Sequence, residues 1–201
     1  MTRPKGIDIS YAQATFPARA EHRFVIIRIS SGDGGLHEDS RAAQHIGEAR
    51  ARKMPMAFYH FMGTGGAEEA RFAVAAMQRH GVWGHKLIID AENDATPEGV
   101  AAAIREAKQL LRPSLWRFRR RRRVGIYSGY WCKSHGGGTF GADFGWLADY
   151  NAFEPPAHWP PGFTKLWQFT SNNGTLDENY WMGIGDYRKF FQPIDKRGYR
   201  V

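Results

Sequence analysis

Two carboxylic acids stand two positions apart at the end of an apolar segment. Asp90 and Glu92 follow residues 87–89, which are all leucine or isoleucine, as is typical of a strand buried on both faces. If the strand extends through both acids, their side chains emerge on the same face, because Ala91 points the other way. Hydrolysis of a glycosidic bond uses such a pair, with one carboxyl group protonated and the other ionised.

The alternative is a structural role, because acidic residues also cap helices and line loops. Residues 93–97 do look like the start of a helix, so that role suits Asp94. Two further acids favour the catalytic interpretation, since Asp8 lies near the end of the first strand-like segment and Asp177 follows the last one. If all four acids meet at one rim, their mutual repulsion raises their pKa values and keeps one protonated near neutral pH.

Strand-like and helix-like segments alternate along the chain, which predicts an α/β fold with a parallel sheet. Helix starts are indicated by Ser40 as an N-cap and by Thr96 followed by Pro97. The tail from Asn172 onward is predicted to be irregular. The predicted strands are residues 6–10, 24–29, 56–61, 86–90, 124–128, 145–150 and 165–169, and the predicted helices are residues 40–53, 68–80 and 96–112.

The chain length restricts the architecture that these segments can form. About seven parallel strands suit either a closed barrel or an open doubly wound sheet, and 201 residues without a visible linker indicate one domain over residues 1–201. A full (β/α)₈ barrel needs about 250 residues. We therefore expect an irregular, TIM-like (β/α) barrel with a reduced helical shell, especially after residue 124.

The charge balance favours anionic partners, since 28 Lys and Arg against 20 Asp and Glu give a formal charge of +8. Most of this excess is one arginine run at residues 117–123, interrupted only by Phe118. The run is either a solvated helix end or a contact to an anionic polymer or lipid head group. No nucleic-acid-binding module accompanies it, so we expect no specific nucleic-acid partner.

Cysteine and histidine usage argues against a metal centre. Cys132 is the only cysteine, which excludes an intrachain disulfide and a multi-cysteine zinc site. The eight histidines show no metal-ligand spacing, and His60 is more simply explained as a hydrogen-bonded structural residue. We therefore expect neither a metal nor another cofactor.

Several aromatic residues lie near predicted strand ends, where rings could stack on the apolar faces of sugars. Core packing is the alternative, and it is favoured for Phe58 and Leu147. The candidates for sugar binding are Tyr59, Tyr127, Trp146, Tyr150 and Trp167.

Eight segments, taken in chain order, resemble glycoside hydrolase family 25, the Chalaropsis-type lysozymes. The resemblance runs from about residue 5 to residue 180, and eight segments in register over a whole domain make it specific. They are GIDIS at 6–10, FVIIRIS at 24–30, AFYHF at 57–61, LIIDAE at 87–92, GIYS at 125–128, WLADY at 146–150, LWQFT at 166–170 and GTLD at 174–177.

The resemblance implies an N-acetylmuramidase that cleaves the β-1,4 bond between N-acetylmuramic acid and N-acetylglucosamine in peptidoglycan. By resemblance, Glu92 is the general acid and later the base. Asp90 orients or charge-stabilises the acetamido group of the substrate, or acts more directly, while Asp8 and Asp177 support them. Two stretches depart from the family pattern: residues 28–33 lack an acid before the glycine, and residues 176–180 fit the usual Val-Asp-Leu-Asn only loosely.

The resemblance also implies a setting, which is action on the bacterial cell wall. No apolar leader segment is visible, so we expect a monomeric, single-domain phage-type endolysin without a wall-binding module, released from the cytoplasm by a separate pore. An anionic wall polymer could contact the arginine run at residues 117–123. The rival interpretations are a chitinase-like glycosidase and a non-catalytic wall-binding or virion protein. The arginines of this possible polymer contact are Arg117, Arg119, Arg120, Arg121, Arg122 and Arg123.

Overall fold

The computed structural model describes residues 3–113, 123–150, 159–171 and 176–195. Strands and helices alternate over the first two thirds of the chain, as predicted. The strands are β1 (Lys5–Ile9), β2 (His22–Ser31), β3 (His37–Glu38), β4 (Met56–Phe61), β5 (Leu87–Asp90), β6 (Val124–Ser128), β7 (Phe144–Ala148), β8 (Thr164–Gln168) and β9 (Asp177–Trp181). The helices are α1 (Ala42–Ala51), α2 (Ala67–Arg79), α3 (Pro97–Leu110), α4 (Tyr130–Ser134) and α5 (Tyr187–Phe191).

Eight of these strands form a closed barrel in the order β1, β2, β4, β5, β6, β7, β8, β9, and β3 extends the sheet from β2. The barrel closes because β1 pairs in parallel with β2 on one side and antiparallel with β9 on the other. The predicted closed, irregular α/β barrel is therefore confirmed, and the alternative of an open doubly wound sheet was wrong. The prediction of an irregular tail was wrong, because β9 and α5 both lie in it.

The helical shell is incomplete, as the chain length predicted. Helices α1 and α2 pack against β2, and helix α3 packs against β5 and β6. Helix α4 is only five residues long. The Thr96 side chain caps α3 by accepting a hydrogen bond from the Gly99 amide. The Ser40 cap was wrong, since α1 begins after Arg41 and no side chain caps it. No helix in the described ranges is both long and apolar enough to cross a bilayer.

Two apolar cores hold the barrel. The larger core lies between the strands and the helices and contains Phe58 and Leu147, which confirms their packing role. The smaller core fills the barrel interior and includes Phe24, Trp146 and Trp181. Helix α5 contributes Phe191 to this interior, where its ring stacks on Phe24 at 4.7 Å. The C-terminal helix therefore closes one end of the barrel.

Truncation of this closing side chain is expected to be costly. Phe191 is 1% exposed, so Phe191→Ala should leave a cavity and lower the free energy of unfolding by about 3–5 kcal/mol. Urea unfolding followed by circular dichroism measures the loss. Ile184→Ala, at a residue that is 98% exposed, is the control and should change it by less than about 0.5 kcal/mol. Equal effects of the two changes would show that α5 does not close the barrel.

Candidate active site

The four predicted acids converge at the carboxyl end of the parallel strands. Asp8 pairs in register with Asp177, because antiparallel β9 begins at the rim where β1 ends. Asp90 is the last residue of β5, and Glu92 follows it. Charge repulsion couples Asp8 to Asp177, Asp90 to Glu92 and to Asp8, and Glu92 to Asp177. The barrel thus brings the four carboxyl groups into one electrostatic cluster.

One oxygen of the Asp90 carboxyl group accepts no hydrogen bond from the described residues. Its side chain is 5% exposed, and Oδ1 has no partner in the described part of the structure. Burial, followed by repulsion from Glu92 and Asp8, raises the pKa of Asp90 well above its ordinary value, and the Arg28 guanidinium opposes this rise. An N–H group or a positive charge from a ligand would therefore interact favourably with Asp90.

Glu92 is more accessible than Asp90. It lies beyond the end of β5, in a turn where Asn93 has a φ of +45° and the Ala95 amide donates to the Glu92 carbonyl at 3.0 Å. Partial burial, and then repulsion from Asp177, raises the pKa of Glu92, and the neighbouring Tyr127 hydroxyl opposes this rise. A half-buried carboxyl group with a raised pKa is suited to donating a proton near neutral pH.

Asp8 is bound by two amide side chains that the sequence analysis missed. Gln168 Nε2 donates to Asp8 Oδ2 at 3.0 Å and Asn179 Nδ2 donates to the same oxygen at 2.7 Å. Burial and Asp177 nevertheless raise the pKa of Asp8 well above its ordinary value. Because Oδ2 accepts both bonds, a proton on Asp8 belongs on Oδ1.

Aromatic side chains fix the orientation of both amides. Trp146 Nε1 donates to Asn179 Oδ1 at 2.7 Å, and Gln168 Oε1 accepts from Tyr127 at 2.6 Å and from Tyr150 at 3.0 Å. Each amide must therefore direct its NH₂ group at Asp8. The signal in the sequence was the position of both amides within or beside the family-like segments at 166–170 and 174–177.

The predicted sugar-binding aromatics occupy three kinds of position, which are the rim, the barrel interior and, for Trp167 alone, the outer wall. Tyr150 is 48% exposed and has a ring face available at the rim. Tyr59, Tyr127 and Trp146 line the barrel interior beneath the acids, and the Trp146 ring lies 4.4 Å from that of Tyr127. Trp146 is 1% exposed, so it supports the site and offers no surface to a sugar.

Trp167 lies apart from this group. It projects from the face of β8 opposite to Gln168, its Nε1 donates to the Asp149 carbonyl at 2.9 Å, and its ring contacts Tyr180. Trp167 is therefore not brought together with the four acids.

Arg28 supplies a positive charge in the stretch that departs from the family pattern. Its Nε donates to Asp39 Oδ2 at 2.7 Å, and the guanidinium lies 4.5 Å from the centre of the Tyr11 ring. Asp39 also accepts from the backbone amides of Tyr11 and Arg41. Asp39, which follows β3, thereby ties the loop after β1 to the Arg28 side chain of β2.

His60 is a structural residue, as expected. Its Nδ1 lies 2.9 Å from Ser30 Oγ and its Nε2 lies 2.8 Å from Glu69 Oε2. This serine, histidine and glutamate order resembles a nucleophilic triad, but Ser30 and His60 are both 0% exposed. The network therefore joins β2 and β4 to α2 and is closed to substrate.

One group of potential metal ligands occurs among the described residues, formed by Glu21, His22 and Glu178. His22 Nδ1 accepts from the Arg19 amide at 2.9 Å, so Nε2 carries the hydrogen that faces Glu178 at 3.1 Å. The Lys5 ammonium lies 3.8 Å from the same carboxylate. These contacts satisfy the group as a hydrogen-bonded ion pair and leave no nitrogen lone pair for a metal.

The arginine run is only partly described. Arg117, Arg119, Arg120, Arg121 and Arg122 lie outside the described residues. Arg123 does not fit the predicted polymer contact, because it is 4% exposed and donates to the carbonyls of Leu111, Trp83 and His85. Burial lowers its pKa to about 10, and it acts as a structural residue.

Several solved structures share this fold. The catalytic domain of the endolysin ply40, from bacteriophage P40 of Listeria monocytogenes, is 22% identical, with a TM-score of 0.71 and coverage of 98% of both chains. A muramidase from Trichobolus zukalii is 21% identical, with a TM-score of 0.65 over 92% of this chain and 97% of that one. The Clostridium perfringens spore cortex lytic enzyme SleM is 19% identical, with a TM-score of 0.68 over 89% of this chain.

Some structural relatives are longer than this chain, which spans 67% of SleM and 46% of the Streptococcus pneumoniae autolysin LytC. No curated protein sequence matches the chain closely enough to count as a relative. The family model of glycosyl hydrolases family 25 matches residues 7–177, which include all four rim acids. This chain therefore belongs to glycosyl hydrolase family 25, a family of enzymes that hydrolyse glycosidic bonds.

Proposed function

We propose that this protein is a peptidoglycan hydrolase of the lysozyme type, an N-acetylmuramidase that cleaves the β-1,4 bond from N-acetylmuramic acid to N-acetylglucosamine. The observation that carries the proposal is the cluster of four carboxyl groups at one rim, with raised pKa values at Asp90 and Glu92. Family membership supports it. So do its structural relatives, which include a muramidase, an endolysin and an autolysin solved with a synthetic peptidoglycan ligand.

In the proposed reaction, Glu92 donates its proton to the leaving oxygen as the glycosidic bond breaks. A water molecule then adds to the sugar carbon and returns a proton to Glu92. Positive charge or an N–H group on the substrate's acetamido group would meet the unpartnered oxygen of Asp90. Asp90 would therefore bind the transition state more strongly than the ground state.

Asp8 and Asp177 are proposed to support this pair. Asp8 is positioned by Gln168 and Asn179, so it can hold a sugar group or a proton without moving. The negative charge of Asp177 raises the pKa of Glu92 and so favours its protonated form. Tyr150, which is the most exposed of the three tyrosines, is proposed to contact the sugar, with Tyr59 and Tyr127 beneath the acids.

The cellular setting is also proposed. The enzyme would act on peptidoglycan strands of the bacterial cell wall as an endolysin, released through a separate pore, and would work as a monomer without a metal or cofactor. The excess of basic residues supports attraction to an anionic wall.

Incubation of the purified protein with purified peptidoglycan tests this function. We expect the turbidity of the suspension to fall while soluble reducing ends rise in proportion, because cleavage of each glycosidic bond creates one reducing end. Binding to the wall with unchanged turbidity and no reducing ends would instead support a non-catalytic wall-binding protein. A fall in turbidity without reducing ends would indicate cleavage of another bond.

A further inference from the structure

A concave surface lies on the outside of the barrel wall, across the wall from the Asp8 contacts. We call it the basic cleft. It has a volume of about 870 Å³, and it is lined by Arg3, Pro4, Lys5, Glu21, Arg23, Trp167, Tyr180, Tyr187 and Arg188. Four of these side chains are cationic and one is acidic, so the cleft carries an excess of positive charge.

The cleft lies on the outer face of the barrel wall, and its cationic residues on β1 and β2 lie at the amino ends of these strands. Lys5 is the first residue of β1 and Arg23 is the second residue of β2, whereas the acids lie where β1 and β5 end. Tyr180 projects from the same outer wall as Trp167, on strands β8 and β9. The barrel wall therefore separates the basic surface on its outer face from the inward-facing Gln168 and Asn179, which bind Asp8.

The positive charge of the cleft is largely uncompensated. Arg3, Arg23 and Arg188 are exposed, and no ion pair of Arg3 or Arg23 occurs in the described part of the chain. Arg188 donates to the Tyr187 hydroxyl and interacts with the charge of Asp186. Lys5 is only loosely paired, with its ammonium 3.8 Å from Glu178. Guanidinium groups match phosphate oxygens in geometry and charge, which makes a phosphate-bearing ligand the best complement.

The aromatic residues of the cleft add a second kind of contact. The Tyr180 ring stacks on Phe169 at 4.2 Å, and the Lys5 ammonium lies over both rings, at 5.7 Å from Tyr180 and 5.2 Å from Phe169. Tyr180 and Tyr187 are each partly exposed. Rings beside cations suit a ligand that alternates carbon-rich polyol units with phosphates.

We propose that the basic cleft binds a polyol-phosphate polymer, a chain of polyol units joined by phosphodiesters. The placement of that polymer in a cell wall rests on the proposed function, whereas the binding site itself does not. A bilayer surface is a poorer complement, because the cleft is concave and its aromatic side chains are partly buried. The cleft would hold the enzyme on the cell wall while the acids act on the glycan.

The test measures binding of the intact protein to polyglycerol phosphate by titration calorimetry, without any activity assay. The site variant carries Arg23→Glu and Arg188→Glu. The control variant carries Arg105→Glu and Lys133→Glu, which change the net charge equally at exposed positions on α3 and α4. We expect at least a tenfold loss of affinity in the site variant and less than a threefold loss in the control.

Further measurements separate this site from general charge attraction. The slope of log affinity against log salt concentration is negative, and its magnitude should be smaller by about two in the site variant. The reason is that each replaced arginine removes one interaction with a phosphate. Polyglycerol phosphate should bind more tightly than inorganic polyphosphate at equal phosphate concentration. Equal losses in both variants, equal or tighter binding of polyphosphate, or no saturable binding by the wild type would overturn the proposal.

Two more outcomes are decisive. Vesicles of anionic phospholipid should bind more weakly than the polymer. Tighter vesicle binding that the site variant abolishes would show that the ligand is a membrane surface instead.

Hydrolysis of purified, phosphate-free peptidoglycan should be the same in the site variant and the wild type. A selective loss in the site variant would place the cleft in the catalytic groove. If the protein hydrolyses no glycan, the calorimetric results still decide the cleft proposal.

Discussion

Replacement of Glu92 by glutamine is expected to lower the rate of glycan hydrolysis about 10²–10⁴-fold, the usual contribution of a general acid or base. The amide has nearly the same shape but cannot donate the proton that the leaving oxygen requires. Glu92 is partly exposed and its pKa is raised, whereas Asp8 and Asp90 are buried. Initial rates of reducing-end release from purified peptidoglycan measure the loss.

The matched control is Glu98→Gln, the same change at an exposed acid in the first turn of α3. It should leave the rate within about twofold of wild type, since distant surface charges contribute little to a reacting centre. Circular dichroism should show the same fold for both variants. Near-normal activity of folded Glu92→Gln would show that another group protonates the leaving oxygen.

Replacement of Asp90 by asparagine is expected to have two opposite effects. Activity should fall about 10²–10³-fold, as when one group of an electrostatic site is removed, because the amide carries no charge to oppose the developing positive charge. Stability at neutral pH should rise by about 1–2 kcal/mol, since a buried carboxylate with an unpartnered oxygen is costly. For a domain of this size, Tm should rise by about 2–4 °C per kcal/mol.

The stability gain should depend on pH in a direction set by the pKa shift. The pKa of Asp90 is raised in the folded protein, so the folded state binds this proton more tightly than the unfolded state does. The wild type therefore recovers stability as pH falls through the folded pKa, and the advantage of Asp90→Asn should shrink there. Asp94→Asn, at an exposed neighbour, should show neither effect. A variant less stable than the wild type at neutral pH would contradict this electrostatic explanation.

Much of the candidate site at the barrel rim could be predicted because one physical rule connects the sequence to it. Residues 87–89 are apolar and Asp90 follows them, and parallel strands in a barrel present their carboxyl ends together. Asp8 obeys the same rule. Asp177 reaches the rim for a different reason, since it begins the antiparallel strand β9, and nothing in the apolar pattern of the tail predicts that strand.

The residues that the sequence did not reveal act through tertiary contacts. Gln168 and Asn179 look like ordinary polar residues, and only strand pairing brings them within 3.0 Å of Asp8. Trp146 and Trp167 both lie within strands, yet one side chain supports the site and the other lines the basic cleft. Arg123 belongs to a charged run but is buried, and it donates to three carbonyls from two segments of the chain. Such differences depend on which neighbours the fold supplies.

The most direct test of the proposed activity is the identity of the new reducing end. After digestion of purified peptidoglycan, borohydride reduction and acid hydrolysis convert each new end into a sugar alcohol that chromatography identifies. We expect muramitol as the new product, because cleavage after N-acetylmuramic acid leaves that sugar at the reducing end. Glucosaminitol without muramitol would contradict the muramidase assignment and favour a chitinase-like specificity on the same barrel.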